Sequence, residues 1–345
     1  MYEKEIQLRA VRNFADDFNV KRSRLKGGFK NVFKVIDMIL TVCPSPCIDV
    51  NMEVDSLSVG MVNKVISKKT FFTGKALNVA RGLARLGARV FATGFMYEEN
   101  GHGFEHELHC EGVPYKFVWN KGRMRENYKF IDRKSMLTEV NDVSPEVPLE
   151  KQEELIGLVG QMSQKCDGLI LSGSLAKGMT ADYYYRVLRA VPHEQIKIID
   201  CSGERLFESL KCGVDLVKTN LAELEGTLKK SFDSKEEMLE GCREVIAKGA
   251  KHVLLSLGKK GAVITDGKKA FYSKSVNVAM NSTVGAGDGM VAAASNAYFK
   301  GCAMPEILKC GVAGGTATVT EPDSISFTKE KYEEILSSIT VEEIF

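Results

Sequence analysis

The chain has 345 residues, 44% hydrophobic and 27% charged, with a formal net charge of +2. That balance supports a sizeable core in one large or two ordinary domains, and it gives no reason to expect a nucleic-acid partner. No apolar run approaches the roughly 20 residues a membrane-spanning helix needs, so no membrane association is expected. Nine cysteines, an odd number without a secretory signal, read as reduced thiols of a cytoplasmic protein. Cys43 and Cys47 stand four apart, but no second pair completes a zinc-type set.

Residues 1–36 hold nine Lys/Arg against four acids, whereas the remainder carries a small acidic excess. This break reads as a loosely ordered basic extension, or as an upstream start codon with Met38 as the natural first residue. Glu3, Glu5, Asp16 and Asp17 argue against a targeting peptide; a basic arm for an acidic partner is the weaker alternative. Met38–Val42 is an apolar run that predicts a buried strand, ending at the punctuated Cys43-Pro44-Ser45-Pro46. Val50–Asp55 and Met61–Thr70 alternate loosely, as exposed strands do. Leu77–Leu86 has helical spacing and stops at Gly87. Arg89–Thr93 predicts a strand and Phe104–Cys110 a helix. Tyr115–Trp119, Asn127–Asp132 and Ser135–Val140 form a strand-rich stretch.

The pattern then becomes regular. Helices are predicted at Glu150–Met162, Asp182–Ala190, Ala222–Leu228 and Glu236–Lys248. Strands are predicted at Gly168–Leu171, Lys197–Asp200, Asp215–Lys218 and His252–Leu257. Such alternation implies a parallel sheet covered on both faces, with ligands at the carboxyl ends of its strands. The expected architecture is one α/β domain over 37–345, plus a small β lid from two insertions at roughly 47–74 and 115–140.

Three segments carry chemistry. Ser282-Thr283-Val284-Gly285-Ala286-Gly287-Asp288 precedes a predicted small-residue helix, Gly289–Phe299. Small residues let backbone approach a ligand, and a helix start turns free N–H groups toward an anion. Asp288 there is a carboxylate beside an anion hole, the arrangement phosphoryl transfer needs. An ordinary helix N-terminus with an acidic first turn has the same pattern. Lys75 and Asn78 share one face of the first turn of the Leu77 helix, after Gly74. Asn220 and Glu223 stand three apart after Lys218. They suit the water shell of Mg²⁺, and equally a helix cap with its capping-box acid. No Gly-x-x-x-x-Gly-Lys-Ser/Thr loop occurs, so this is not a P-loop enzyme.

Taken together, the segments resemble the ribokinase-like carbohydrate kinases of the phosphofructokinase B family, in order from about Ile39 to about Phe327. The similarity is greatest to the 1-phosphofructokinase and tagatose-6-phosphate kinase branch. It rests on Gly285-Ala286-Gly287-Asp288, Gly74-Lys75-x-x-Asn78, Arg125-x-Asn127-x-Lys129, Thr138-Glu139-x-Asn141, Ser172-Gly173-Ser174-Leu175, Asp200-x-Ser202-Gly203-Glu204, Lys218-x-Asn220-x-x-Glu223 and Ser256-Leu257-Gly258-x-x-Gly261.

The resemblance implies a three-layer α/β/α sandwich with a β-sheet lid, and ATP and Mg²⁺ as cofactors. It implies that Asp49, Gly74, Lys75 and Asn78 hold the sugar, and that Arg125, Lys129 and Ser174 hold its existing phosphate. Lys218, Asn220, Glu223, Ser256, Gly258 and Gly261 would serve ATP and magnesium, the metal meeting Asn220 and Glu223 through water. Gly285, Ala286 and Gly287 with the Asp288 N–H would form the anion hole, and Asp288 the base. It further implies a homodimer whose lids clasp, with Lys64 near the partner's site.

This chain departs from the family pattern at Ser45, Cys47, Lys64, Thr73, Ala76, Ala176 and Gly289, mostly near the sugar. The acceptor is expected to be a hexose phosphate, with fructose 1-phosphate favoured over tagatose 6-phosphate or fructose 6-phosphate. A kinase for an unphosphorylated sugar leaves the Arg125/Lys129 cluster with little to bind. A non-catalytic sugar-phosphate-binding regulator would have no need of intact Asp288, Asn220 and Glu223.

Overall fold

Strands buried on both faces carry continuous apolar runs, because neither face meets water. Ile39–Cys43 (β1), Val90–Tyr97 (β4) and Gly168–Ser172 (β8) are of this kind and are buried at every residue. They lie in the middle of a ten-stranded sheet. Outward on one side follows Tyr115–Asn120 (β5), beyond β4. On the other lie Ile196–Asp200 (β9), Val214–Asn220 (β10) and Ala250–Ser256 (β11). All pairings from β5 to β11 are parallel. Ala262–Thr265 (β12), Ala270–Ser273 (β13) and Glu342–Glu343 (β14) then add antiparallel strands. The computed structural model describes residues 38–345 apart from 135, 280, 282, 283 and 322–325. The basic extension 1–36, and Ser282 and Thr283 of the glycine segment, lie outside the described residues.

A second sheet has four strands: Val65–Thr73 (β3), Cys47–Val54 (β2), Glu126–Ile131 (β6) and Leu137–Asn141 (β7), in that order. It is the expected lid, and β7 is exposed along its whole length. The second lid insertion is shorter than the sequence suggests. Tyr115–Asn120 pairs parallel with β4 and belongs to the large sheet. A half-buried edge strand alternates just as a lid strand does, so periodicity does not separate them.

Four helices bear on the chemistry: Lys75–Arg85 (α1), Leu221–Leu228 (α6), Ala286–Phe299 (α8) and Met304–Thr320 (α9). The intervening helices are His102–Cys110 (α2), Leu149–Ser163 (α3), Tyr183–Arg189 (α4), Glu204–Leu210 (α5) and Lys235–Ala247 (α7); Lys329–Ser338 (α10) comes after α9. Helix α8 begins three residues earlier than the expected Gly289, which brings Asp288 inside the first turn. Missing side chains let these helices approach closely. A Cβ at Gly82 would lie 2.7 Å from the Ala292 methyl, joining α1 to α8. A Cβ at Gly314 would lie 2.4 Å from the Gly289 carbonyl oxygen, joining α9 to α8. Packing at that distance leaves α8 little freedom to shift.

Candidate active site

The site is built where the carboxyl ends of the central strands meet the first turn of α8. Gly285 takes the left-handed conformation at φ +82° and caps that helix. This is a backbone state that a side chain disfavours. The turn delivers Asp288, 7% exposed, into a cavity of about 840 Å³ that Gly285 and Gly287 also line. Ala286, between them, does not line it. A Cβ at Gly287 would lie 2.9 Å from Lys218 Nζ, so the glycine is what lets that ammonium approach the helix start. Helix N–H groups and a lysine thus converge on one spot, a receptor for an anion.

Asn78, on α1, donates its Nδ2 to Asp288 Oδ2 at 2.9 Å. The bond lies one turn before the Gly82–Ala292 contact, so the helix packing sets it. Burial raises the Asp288 pKa to about 6, and the charge of Asp200 adds to that; the Asn78 bond, Lys75 and Lys218 act the other way. A carboxylate poised near neutrality is suited to accept a proton.

Asp200, which the sequence shows only as a motif position, organises the lysines. At the end of β9, and 1% exposed, it accepts Lys218 at 3.1 Å, Lys75 at 3.2 Å and Ser172 Oγ at 2.9 Å. Burial alone would raise its pKa, but Lys218 and Lys75 outweigh it and hold the carboxyl down to about 2. Its permanent charge keeps both ammonium groups beside Asp288.

Asn220 and Glu223 form the capping box of α6: Asn220 Oδ1 accepts the Glu223 N–H at 2.9 Å, and Glu223 Oε2 accepts the Asn220 N–H at 3.0 Å. Both nonetheless line the cavity. Glu223 Oε1 is outside the box, 4.0 Å from Lys75 Nζ, and remains open to a hydrated cation. Among the described residues no three His, Cys, Asp or Glu gather to hold a metal. A magnesium ion here would therefore take most of its ligands from water and phosphate. Ser256 is the register partner of Asn220, but neither it nor Gly258 or Gly261 lines the cavity. Ser256 Oγ donates to the Thr219 carbonyl at 3.3 Å. Gly261, at φ +98°, is required by the fold: a Cβ there would lie 2.0 Å from the Ser273 oxygen.

The lid closes the other side. Asp49 of β2 faces Asn127 of β6 in register and accepts its Nδ2 at 2.9 Å. Its second oxygen accepts Lys129 at 2.6 Å. Lys129 is thus the counter-ion of Asp49. The Arg125 side chain lines the cavity, and its Nε is buried without a hydrogen-bond partner. Glu126 pairs instead with Arg123, at 2.6 Å. Gly74 and Ser174 line the same cavity. A Cβ at Gly74 would meet Cys43 Sγ at 2.8 Å. Lys64 is exposed and does not line the cavity.

Residues 40–331 match the pfkB family carbohydrate kinase pattern. A 1-phosphofructokinase of Borreliella burgdorferi is 29% identical over 309 residues, spanning 89% of this chain and 99% of its own. A tagatose-6-phosphate kinase of Staphylococcus epidermidis is 29% identical over 311 residues, spanning 89% of this chain and all of its own. Phosphofructokinase-2 from Escherichia coli, solved in complex with potassium, shares the fold with a TM-score of 0.81 at 24% identity, over 88% of this chain and 99% of that one. The chain belongs to the pfkB family of carbohydrate kinases, phosphotransferases with an alcohol group as acceptor.

Proposed function

We propose that the protein transfers the γ-phosphoryl group of ATP to a hydroxyl of a hexose phosphate, with fructose 1-phosphate as the favoured acceptor and fructose 1,6-bisphosphate as product. The observation that carries this is the convergence of Asp288, Lys218 and the Gly285–Gly287 turn on one spot, opposite an Arg125 that has no carboxylate of its own among the described residues. Asp288 accepts the proton of the attacking hydroxyl. Lys218 and the helix N–H groups receive charge on the transferred group. Lys75, fixed by Asp200, and Asn78 orient the sugar hydroxyls. Magnesium, placed by Asn220 and Glu223 through water, would supply charge neutralisation between the phosphates.

The 1-phosphofructokinase and tagatose-6-phosphate kinase relatives support a phosphorylated acceptor. Tagatose 6-phosphate and fructose 6-phosphate are the nearest alternatives. A homodimer through the lid is part of this proposal, supported by Val59, Met61, Val62, Ile66 and Val140, apolar side chains 55–99% exposed there. So is a cytoplasmic location, which the nine free thiols fit. A coupled ADP-release assay across sugars and sugar phosphates tests the acceptor. A hexose phosphate should give the highest kcat/KM. Turnover of neutral sugars alone would refute it.

A further inference from the structure

Five cationic and four carboxylate side chains line the cavity. Lys129 pairs with Asp49, and Lys75 and Lys218 pair with Asp200. Two guanidinium groups remain, Arg125 and Arg205, and among the described residues neither pairs with a carboxylate. We infer that Arg205 is a second receptor for the phosphate that the acceptor already carries, and so determines specificity. This rests on the hexose-phosphate reading and deepens it.

The local structure gives Arg205 an anchor and leaves most of it unused. One N–H, from Nη1, goes to the Gly173 carbonyl at 3.1 Å. That oxygen also accepts the hydroxyl of fully buried Tyr184 at 2.7 Å, so its position is fixed. A guanidinium has five N–H groups, and the other four are available for a ligand. The next residue after the anchor is Ser174, whose side chain lines the same cavity. The anchored arginine and a serine therefore present donors at one rim.

Helix stability does not explain the residue. Arg205 is the second residue of the seven-residue helix α5. A cation in a first turn opposes the helix dipole. Of the acids on that helix, Glu208 pairs with Lys211 instead. Arg205 extends from the large sheet's side and Arg125 precedes lid strand β6. A phosphate between them would be met from both halves of the site. Guanidinium groups suit this because each presents paired, planar donors to phosphate oxygens.

The competing explanation is that Arg205 only holds the Gly173 turn. Arg205→Gln separates the two, because the amide N–H keeps a donor for Gly173 and removes the charge. Calorimetry without nucleotide should show the Kd for fructose 1-phosphate raised about thirty-fold or more. Arg205→Lys should be intermediate. The KM for ATP and the kcat/KM for neutral fructose should stay within about two-fold. A glutamine variant that binds the sugar phosphate like the parent overturns the inference, as does one that loses ATP affinity instead. If the unaltered enzyme phosphorylates no sugar phosphate, the hexose-phosphate reading falls first. If it does so and Arg205→Gln is silent, only this inference falls.

Discussion

Asn78 and Asp288 are 210 residues apart in the chain and 2.9 Å apart in the fold. The amide can only donate to that carboxylate oxygen, so it stabilises the charged form. It thereby moderates the rise in pKa that burial causes, and it fixes the orientation of the second oxygen.

Replacing the base gives the first prediction. Asp288→Asn should lower kcat by about 10²–10⁴ while ATP still binds. The same variant should be more stable at pH 8. Folding lifts this carboxyl from its usual 3.8 to about 6, so keeping it charged in the interior opposes folding by roughly 3 kcal/mol. That penalty is full above pH 6 and disappears below about pH 4, where both states are protonated. Denaturation curves at pH 8 and at about pH 4 check it. An asparagine variant with near-normal kcat defeats the assignment of Asp288.

The acid limb of the rate profile gives the second. Only deprotonated Asp288 can take a proton, so kcat/KM should fall about ten-fold per pH unit below about pH 6. Removing the amide in Asn78→Ala removes a contribution that lowers the pKa, so the limb should move to higher pH. A limb that stays in place in that variant would show that another group titrates.

Arg125 gives the third. Arg125→Ala should reduce kcat/KM for the sugar phosphate by about thirty-fold or more, since desolvated charge partners contribute about 2–5 kcal/mol. Neutral sugar should be affected little, so the preference between the two collapses. If Arg125 were an ordinary surface charge the change would be at most about 1 kcal/mol. Preservation of both rate and preference would place the phosphate elsewhere.

The basic extension gives the fourth. The family match starts at residue 40, and the Met38 N–H already faces Asp167 Oδ2 at 3.3 Å. A chain beginning at Met38 would put its new ammonium against that carboxylate. It should fold and keep its kcat/KM. Insolubility or lost activity would mean that residues 1–36 contribute to the catalytic unit.

The lid gives the fifth. Val62, 91% exposed beside other apolar residues, should lie between two copies. Val62→Asp should shift sedimentation from dimer to monomer. A parent protein that is monomeric at micromolar concentration removes the proposed clasp.

The turn that carries Asp288 is legible in the sequence because its signals are local: glycines, an acid and a helix start within seven residues. Asn220 and Glu223 are ambiguous for the same local reason, and the fold shows the capping box while leaving Glu223 Oε1 open. Asp200 cannot be read in this way. Its two lysines lie 125 and 18 residues away in sequence, and a lone acid ending a strand has no periodicity. Helix α9 lacks a polar stripe because it is buried along most of its length, and in the sequence its start is marked chiefly by Pro305 in the first turn. Tyr115–Trp119 reads as a lid strand from sequence because pleat alternation is the same in both sheets.

The glycine contact behind the Asp288 helix ties the sequences of two helices together. Gly289 follows Asp288 directly. A Cβ at that position would lie 2.1 Å from Thr318 Oγ1 and 2.7 Å from the Gly314 carbonyl. A serine at 289 therefore requires a change in α9 as well. Positions 289, 314 and 318 are thus constrained together: what one of them accepts depends on the other two.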